Sequence, residues 1–315
     1  MIKTDFVKDF EAFLKGNGVE FKKLGNACLF VVHTGLLIVP VALENACSMD
    51  SESRAAVVSE CGNELSLWKI RDVFFLYEDA FRRGEEQWRK RILARCGIFE
   101  SVFARKCRVV RLQSQKEKEM AHAFLEENHS LGWCSCKFCY ALMLPAGELQ
   151  CEGGIVAVAS FSSALAVRRY PGRDLFADVA ETGDYASADS VSFESYQWLR
   201  YASLAGVRVV GGMGRLLKAF IKDVRDALRQ NCDAAFCGIE IMSYSDNEWS
   251  CGNVYRELGF SEYGGRGAVE FHIERSSWRR LRKLPLNETG SSEAASCELP
   301  AVRNCGSKRY LLQLI

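Results

Sequence analysis

Apolar residues recur at three- and four-residue spacing through DFVKDFEAFLKG, with charges between them, and predict an amphipathic helix over residues 4 to 15. Short apolar runs near residues 19 to 24, 28 to 33 and 36 to 42 read as strands. A Ser- and Glu-rich segment comes next, helical around Arg54 to Ser59; KIRDVFFLYED then reads as a buried strand and EEQWRKRILARCG as a helix with Trp88, Ile92 and Leu93 inward. Beyond residue 104 the pattern gives strands at 107 to 112, 138 to 144, 154 to 162 and 194 to 203, and a helix at 115 to 127. A glycine turn and helix at 211 to 229, a strand at 234 to 243, a helix at 251 to 258 and a strand at 268 to 274 complete the series. Strands and helices interleave in this way in an α/β (α+β) fold.

The chain divides on this reading into a small α/β domain over residues 1 to 103, a larger domain over 104 to 283, and a polar linker or tail over 284 to 315 with a short docked element at Tyr310 to Ile315. The segment from Arg173 to Ser190 is polar and turn-rich, and is expected to form a mobile loop beside the site. The longest apolar run, Ala27 to Leu43, contains His33, Thr34, Gly35 and Pro40, so it predicts two strands around a turn and no membrane span.

Charge and cysteine usage narrow the function classes. Lys plus Arg total 41 against 40 Asp plus Glu, so nucleic acid, if bound, must meet a local patch. The 14 cysteines are scattered singly through apolar segments, which predicts reduced thiols and a cytoplasmic compartment. The amino-terminal segment lacks the uninterrupted apolar core of a signal peptide.

The most informative chemistry lies between Val207 and Phe260. Val207, Val209 and Val210 predict a buried strand, and Gly211, Gly212 and Gly214 let the backbone turn tightly with its N–H groups exposed. Leu217, Phe220, Ile221, Val224 and Leu228 then give a helix one apolar face, and its amino terminus attracts anions. No Lys-Ser/Thr comes after the glycines, which argues against a triphosphate loop; no carboxylate stands where a dinucleotide ribose would want one, although Glu240 lies within the next strand. The glycines fit a phosphate cradle, with Arg215 adding charge, and also a tight strand-to-helix turn without a ligand. Arg215, Lys218, Lys222, Arg225 and Arg229 form a basic stripe interrupted by Asp223 and Asp226, which suits a solvated face or a nucleic-acid track.

Two further clusters carry weaker signals. Cys134, Cys136 and Cys139 lie near His129, but Cys139 falls on the opposite strand face from the other two thiols, so no metal is assigned. RSSWRRLRK, with Trp278 among arginines, suits phosphate contact and base stacking, or an amphipathic terminal helix.

Asn253-x-Tyr255-x-x-Leu258-Gly259-Phe260, placed after the glycine turn and a strand ending near Ser243, resembles the acyl-coenzyme A binding half of GNAT-type acyltransferases. From Ala104-Arg105-Lys106-Cys107 through FLEENHSLGW, IVAVASF, YQWLRYAS, VVGGMGRLLKAFI and SYSDNEWSCGNVYRELGF, the motif order resembles a GNAT-like domain of phage and bacterial proteins related to the Mom type of DNA-modifying acyltransferase. The resemblance spans roughly residues 104 to 275. It implies a GNAT-like mixed sheet with flanking helices, and acyl transfer from acetyl-CoA or another acyl-CoA to an amine, with a nucleic-acid amine as one acceptor and DNA as one partner. Val210, Gly211, Gly212, Gly214, Arg215 and Asn253 would hold the cofactor, with a gap between the two central strands beside Gly212 admitting the pantetheine arm. Tyr255 would protonate the leaving thiolate, or else pack between helix and sheet; Asp246 and Ser245, in the SYSD motif, would serve the nucleophilic amine, or Asp246 would cap the next helix. His129 and Arg200 would face the acceptor.

The chain departs from the family at Val209, where Gln or Arg is usual, at Gln197, where Glu is usual, and at Asn247 and Glu248, where basic residues are usual. The first domain resembles the restriction or homing-endonuclease-like domain that precedes the GNAT-like domain in such proteins. Its hairpin ACLFVVHTGLLIVPVAL has no acid before Glu44, and Phe30 and Val41 stand where metal-binding carboxylates are expected, so the resemblance implies a degenerate nuclease. Two alternatives stay open: an accessory nucleic-acid-binding protein that kept the fold without catalysis, and a metal-dependent DNA endonuclease relying on Glu44 and Glu78.

Overall fold

Asp5 opens the first helix by accepting the Lys8 N–H, and α1 (Phe6–Gly16) buries Phe6, Phe10 and Leu14 at the spacing the sequence predicts. The computed structural model describes residues 5–25, 27–65, 68–147, 153–169, 191–230, 238–282 and 300–315. The loop expected at Arg173 to Ser190 and the linker up to residue 299 lie outside the described residues, whereas residues 300–315, expected as its continuation, are described and form strands. The chain forms two compact units, each drawn from three separate stretches: Met1–Phe99, Ser245–Asn253 and Gly265–Lys308 in the first, and Glu100–Tyr244, Val254–Gly264 and Arg309–Ile315 in the second. Boundaries at 103 and 283 are therefore replaced by an interleaved division, because two later stretches return to the first unit.

In the first unit, β1 (Phe21–Leu24), β2 (Cys28–Val31) and β3 (Leu36–Val41) form an antiparallel meander, and β4 (Asp72–Tyr77) pairs parallel to β3. The β3-to-β4 connection carries α2 (Ser51–Glu64), longer than the stretch Arg54 to Ser59 predicted and capped by Asp50. After β4 come α3 (Glu78–Arg82) and α4 (Glu86–Arg95). Alternation with period two sends Phe30, Leu37, Val39, Phe75 and Tyr77 to one core, with Cys61 and Leu65, and Leu29, Val31, Ile38, Phe74 and Leu76 to another, with Phe10, Leu14 and Ile92. Both faces are covered, so β2 and β3 are buried at every position, as an almost unbroken apolar run requires. Phe30 and Val41 are core residues here, each 1% exposed.

The segment after residue 268, expected as one strand and a terminal helix, instead contributes β14 (Glu270–Glu274), β15 (Arg279–Leu281) and β16 (Ala301–Arg303), a small sheet of order β15-β14-β16 in the first unit. A turn with Trp278 at φ 56° separates β14 from β15, and that left-handed backbone excludes a helix through RSSWRRLRK.

The second unit begins with β5 (Glu100–Phe103), β6 (Arg108–Arg111) and α5 (Gln115–Asn128), the last opened by a Ser114/Glu117 capping box. Next come β7 (Phe138–Leu144), β8 (Gly154–Phe161), β9 (Leu165–Arg169), β10 (Val191–Ser203), β11 (Val207–Val210) and α6 (Gly212–Gln230). The series ends with β12 (Gly238–Asp246), α7 (Asn253–Glu257), β13 (Ser261–Arg266) and β17 (Ser307–Leu314). Strand order in its main sheet is β13-β17-β12-β10-β8-β7-β6, with β9 beside β10. The element expected at Tyr310 to Ile315 is thus a strand within the sheet. The valine strand before the glycines is not part of this sheet: β11 pairs parallel with β5, leaving Val209 buried and Val210 exposed.

Alternate residues of β7 and β8 serve two cores. Cys139, Ala141 and Val158 meet Ala121, Phe124 and Leu125 of α5, whereas Tyr140, Leu142, Ala159 and Phe161 meet Leu216, Leu217, Phe220 and Val224 of α6. A mixed α/β fold with a helix on either face of the sheet results. No helix among the described residues is long and apolar enough to cross a membrane.

Candidate functional site

Strand β10 changes partner along its length. Its first part pairs with β9, from Val191↔Arg169 to Ser195↔Leu165; from Trp198↔Phe161 onward it takes β8 instead, with a register shift between Trp198 and Arg200. On its other side β10 runs parallel to β12 from Phe193↔Gly238 to Gln197↔Met242, and among the described residues that ladder goes no further. Both strands continue, to Ser203 and to Asp246, so two parallel strands leave each other in the middle of the sheet. Unshared backbone edges at such a point are available to a ligand.

The glycine turn lies beside that divergence. Gly211 has φ +76°, a left-handed conformation that favours glycine, and a Cβ there would meet open space. Gly212 opens α6 and is buried; a Cβ on it would come within 2.7 Å of the Tyr201 hydroxyl on β10, so the helix start is seated directly against the diverging strand. The first α6 bond is Arg215 N–H to the Gly211 carbonyl, and the N–H groups of Gly212, Met213 and Gly214 have no acceptor among the described residues. Arg215 does not extend freely, as the sequence suggests it should: its Nη1 donates to the Ala104 carbonyl at 2.9 Å. This guanidinium braces the turn. Gly214 packs against Leu258, and a Cβ there would meet Leu258 at 3.2 Å.

Tyr255 closes the other side of the divergence. Its hydroxyl donates to the Tyr244 carbonyl at 3.1 Å and accepts from Ser243 Oγ at 3.0 Å, both on the part of β12 beyond the shared ladder. Ser243 Oγ also lies 3.4 Å from the Trp198 carbonyl on β10, so Ser243 bridges the two strands where they separate. The Tyr255 ring stacks on Tyr310 at 4.8 Å and meets the edge of Phe260 at 5.6 Å. Burial raises its pKa above the usual phenol value, which keeps the proton on oxygen at neutral pH.

The two residues expected to face an acceptor, His129 and Arg200, also converge. Arg200 donates from Nε to the Gly132 carbonyl at 3.0 Å and from Nη1 to the Leu199 carbonyl at 2.8 Å, and the Gly132 N–H bonds back to the His129 carbonyl at 3.0 Å. His129 Nδ1 accepts the Leu131 N–H at 3.0 Å. The turn after α5 therefore gathers His129 and Arg200, with the nearby Cys134 thiol raised first by burial against a lowering by Arg200.

Not all of the predicted constellation falls in this unit. Ser245, Asp246 and Asn253 belong to the first unit. Asp246 Oδ1 accepts the Glu248 N–H at 2.9 Å, and its carbonyl accepts from Trp249 and Ser250, so it caps the turn after β12. Burial raises its carboxyl pKa, against the lowering effects of the Glu248 N–H, Arg280 and Arg91. Ser245 Oγ is buried without a partner among the described residues. Asn253, expected at the cofactor, donates its amide to the Arg71 carbonyl at 3.4 Å. Val210 is exposed beside Gly211.

Ser243, Tyr201 and Trp198 lie in the SYSD and YQWLRYAS motifs but receive no role from sequence, since serine and aromatic side chains in strands carry no signature of their own. Glu240 looks like a misplaced ribose ligand in the sequence; it is a buried anchor, 1% exposed, taken by Arg169 at 2.6 and 2.9 Å, Ser195 at 2.8 Å and Gln313 at 3.1 Å. Those bonds outweigh its burial and hold its pKa below the usual carboxylate value. Among the described residues no group of three His, Cys, Asp or Glu side chains is placed to hold a metal ion, the thiols of residues 134 to 139 included. Glu44 is exposed, and Glu78 accepts from the Leu43 N–H and Arg82.

Comparison with models of protein families, with curated proteins and with solved structures finds no match to this chain.

Proposed function

We propose that this protein is an acyl-coenzyme A-dependent N-acyltransferase of the GNAT type, with an amine of a nucleic acid as acceptor, in keeping with the Mom-type resemblance of its motifs. The observation that carries this reading is the ladder between β10 and β12 ending at Gln197↔Met242 beside three uncommitted N–H groups at the start of α6. The fit to the carrier is specific in kind. Gly212, Met213 and Gly214 offer N–H donors for a diphosphate, and the open space beside Gly211, where a Cβ would meet nothing, leaves the approach clear there. The unshared edges of β10 and β12 suit a pantetheine arm, whose amides need strand-like partners.

Acyl-coenzyme A, when bound, supplies an acyl group activated as a thioester. The chain's own contribution is positional and acid–base. Strand N–H groups would orient the carbonyl, and the Tyr255 phenol, kept protonated by burial, would turn from the Tyr244 carbonyl to protonate the departing thiolate and be reprotonated by the proton that the attacking amine releases. Ser243 and the Tyr244 carbonyl hold the phenol oxygen in place. Arg200 and His129, held by the turn at Gly132, are assigned to the acceptor side. Ser245 and Asp246 are not used in this scheme.

Two expected outcomes test it. Acetyl-coenzyme A at a hundred times its dissociation constant should add about 2.7 kcal/mol of stability and raise the melting temperature by several degrees. Gly212→Val should abolish that shift, because the new side chain meets the Tyr201 hydroxyl; an unmoved melting temperature for the unaltered protein across acyl-coenzyme A concentrations rejects the reading. Tyr255→Phe should keep the shift but lower kcat roughly 10²- to 10⁴-fold with little change in KM, as loss of a general acid requires. A kcat within twofold of the parent would remove Tyr255 from catalysis.

A further inference from the structure

We propose that the outward face of α6 is a binding track for the sugar–phosphate backbone of a nucleic acid. Leu216, Leu217, Phe220 and Val224 bury one side of this helix, and the opposite side carries Lys218, Lys222, Arg225 and Arg229. All four cations are exposed, and none has a carboxylate partner among the described residues. Of the two acids on the helix, Asp223 is committed to Arg111 at 3.2 Å and to the Tyr140 hydroxyl at 2.9 Å. Only Asp226 remains to offset the row.

Shape supports the same assignment. The four cations and Asp226 line an open depression of about 410 Å³ together with Ile221. Ile221 is half-buried against the core, as is the neighbouring Leu314, so the apolar surface lies beneath the charges and does not project. A helix made for a lipid surface turns large apolar side chains outward instead. Like charges spaced three and four residues apart repel, so the row is unfavourable to the helix unless an anion covers it. From Lys218 to Arg229 the row is about 16 Å long at 1.5 Å per residue, which, measured along the axis of a duplex, spans roughly four or five phosphates of one strand at an axial rise of about 3.4 Å each. A polymer of regularly spaced phosphates is the anion that matches a regularly spaced row. This assignment does not rest on the transferase reading.

The test is fluorescence anisotropy with labelled single-stranded and duplex oligonucleotides between 50 and 200 mM salt, using the full chain and the variant K218A/K222A/R225A/R229A. With about four phosphate contacts, the parent's affinity for duplex should fall roughly 100-fold over that range, and the variant's log–log salt slope should be shallower by about 3 to 4. Because the four residues are exposed and repel one another, the variant should melt at or slightly above the parent and keep any acetyl-coenzyme A shift, which separates failure here from failure of the transferase reading. Equal slopes for parent and variant overturn the proposal. So does a parent that binds phosphatidylserine vesicles through these residues but no oligonucleotide at 50 mM salt.

Discussion

Arg280→Met is expected to destabilise the first unit by about 3–5 kcal/mol, because it strands two buried carboxylates. Arg280 forms a two-pronged pair with Asp79, at 2.7 and 3.2 Å, and reaches Glu248 at 2.7 Å through its third nitrogen. Asp79 and Glu248 side chains are only 4% and 8% exposed. The guanidinium also lies over the Tyr77 ring at 5.0 Å. Burial pushes the Glu248 carboxyl up to about 7 even with Arg280 present. A carboxyl whose folded pKa exceeds its unfolded one binds more protons when folded, so its contribution to stability falls as pH rises from about 4.5 to about 7. Without Arg280 that rise in pKa grows. The deficit of the variant, measured by urea unfolding, should therefore be largest above pH 7 and shrink toward pH 5. A deficit below 1 kcal/mol at pH 8, or one that grows on acidification, contradicts this role for Arg280.

Phe220→Ala should cost a similar amount, about 3–5 kcal/mol, in the second unit. Phe220 is fully buried and stacks face to face on Phe161 at 3.9 Å and 2°, with Phe138, Tyr140 and Tyr196 edge-on around it. It fastens the middle of α6 to the sheet, so its loss leaves a cavity and loosens the helix whose start forms the glycine turn. The expected result is a lower urea midpoint and a weaker acetyl-coenzyme A shift, with Phe220→Leu recovering most of the midpoint. Retention of the parent's midpoint by the alanine variant would show that α6 is held elsewhere.

Much of this fold was legible because long periodic segments leave little choice. The spacing of Leu217, Phe220 and Val224 set α6 and its buried face, and the apolar run around Pro40 set β2 and β3. Asp5 and Ser114 cap two helices that apolar spacing alone places at 4 to 15 and 115 to 127. Pairing at a distance, by contrast, leaves no mark in a local pattern. That Val207 to Val210 would join Glu100 to Phe103, leaving the main sheet, depends on a partner a hundred residues away. RSSWRRLRK looked like a charged helix or a nucleic-acid patch because its composition hides that one arginine, Arg280, is turned inward to two acids far off in the chain. At the candidate site the glycines stood out by their own chemistry, and Tyr255 through the resemblance of its motif. The commitments of Arg215 to Ala104 and of Asn253 to Arg71 did not, since any exposed polar side chain reads as available until its neighbours are known.

Strand β17 lies between β13 and β12 in the second unit's sheet, although it comes some sixty residues after β12 in sequence. Until residues 307 to 314 have left the ribosome, the flank of β12 has no hydrogen-bonding neighbour there, and the first unit likewise awaits its contribution from residues up to 308. Neither half can therefore mature while the nascent polypeptide is short, and both must finish assembly nearly together, a stage at which chaperone dependence and sensitivity to premature termination should be greatest.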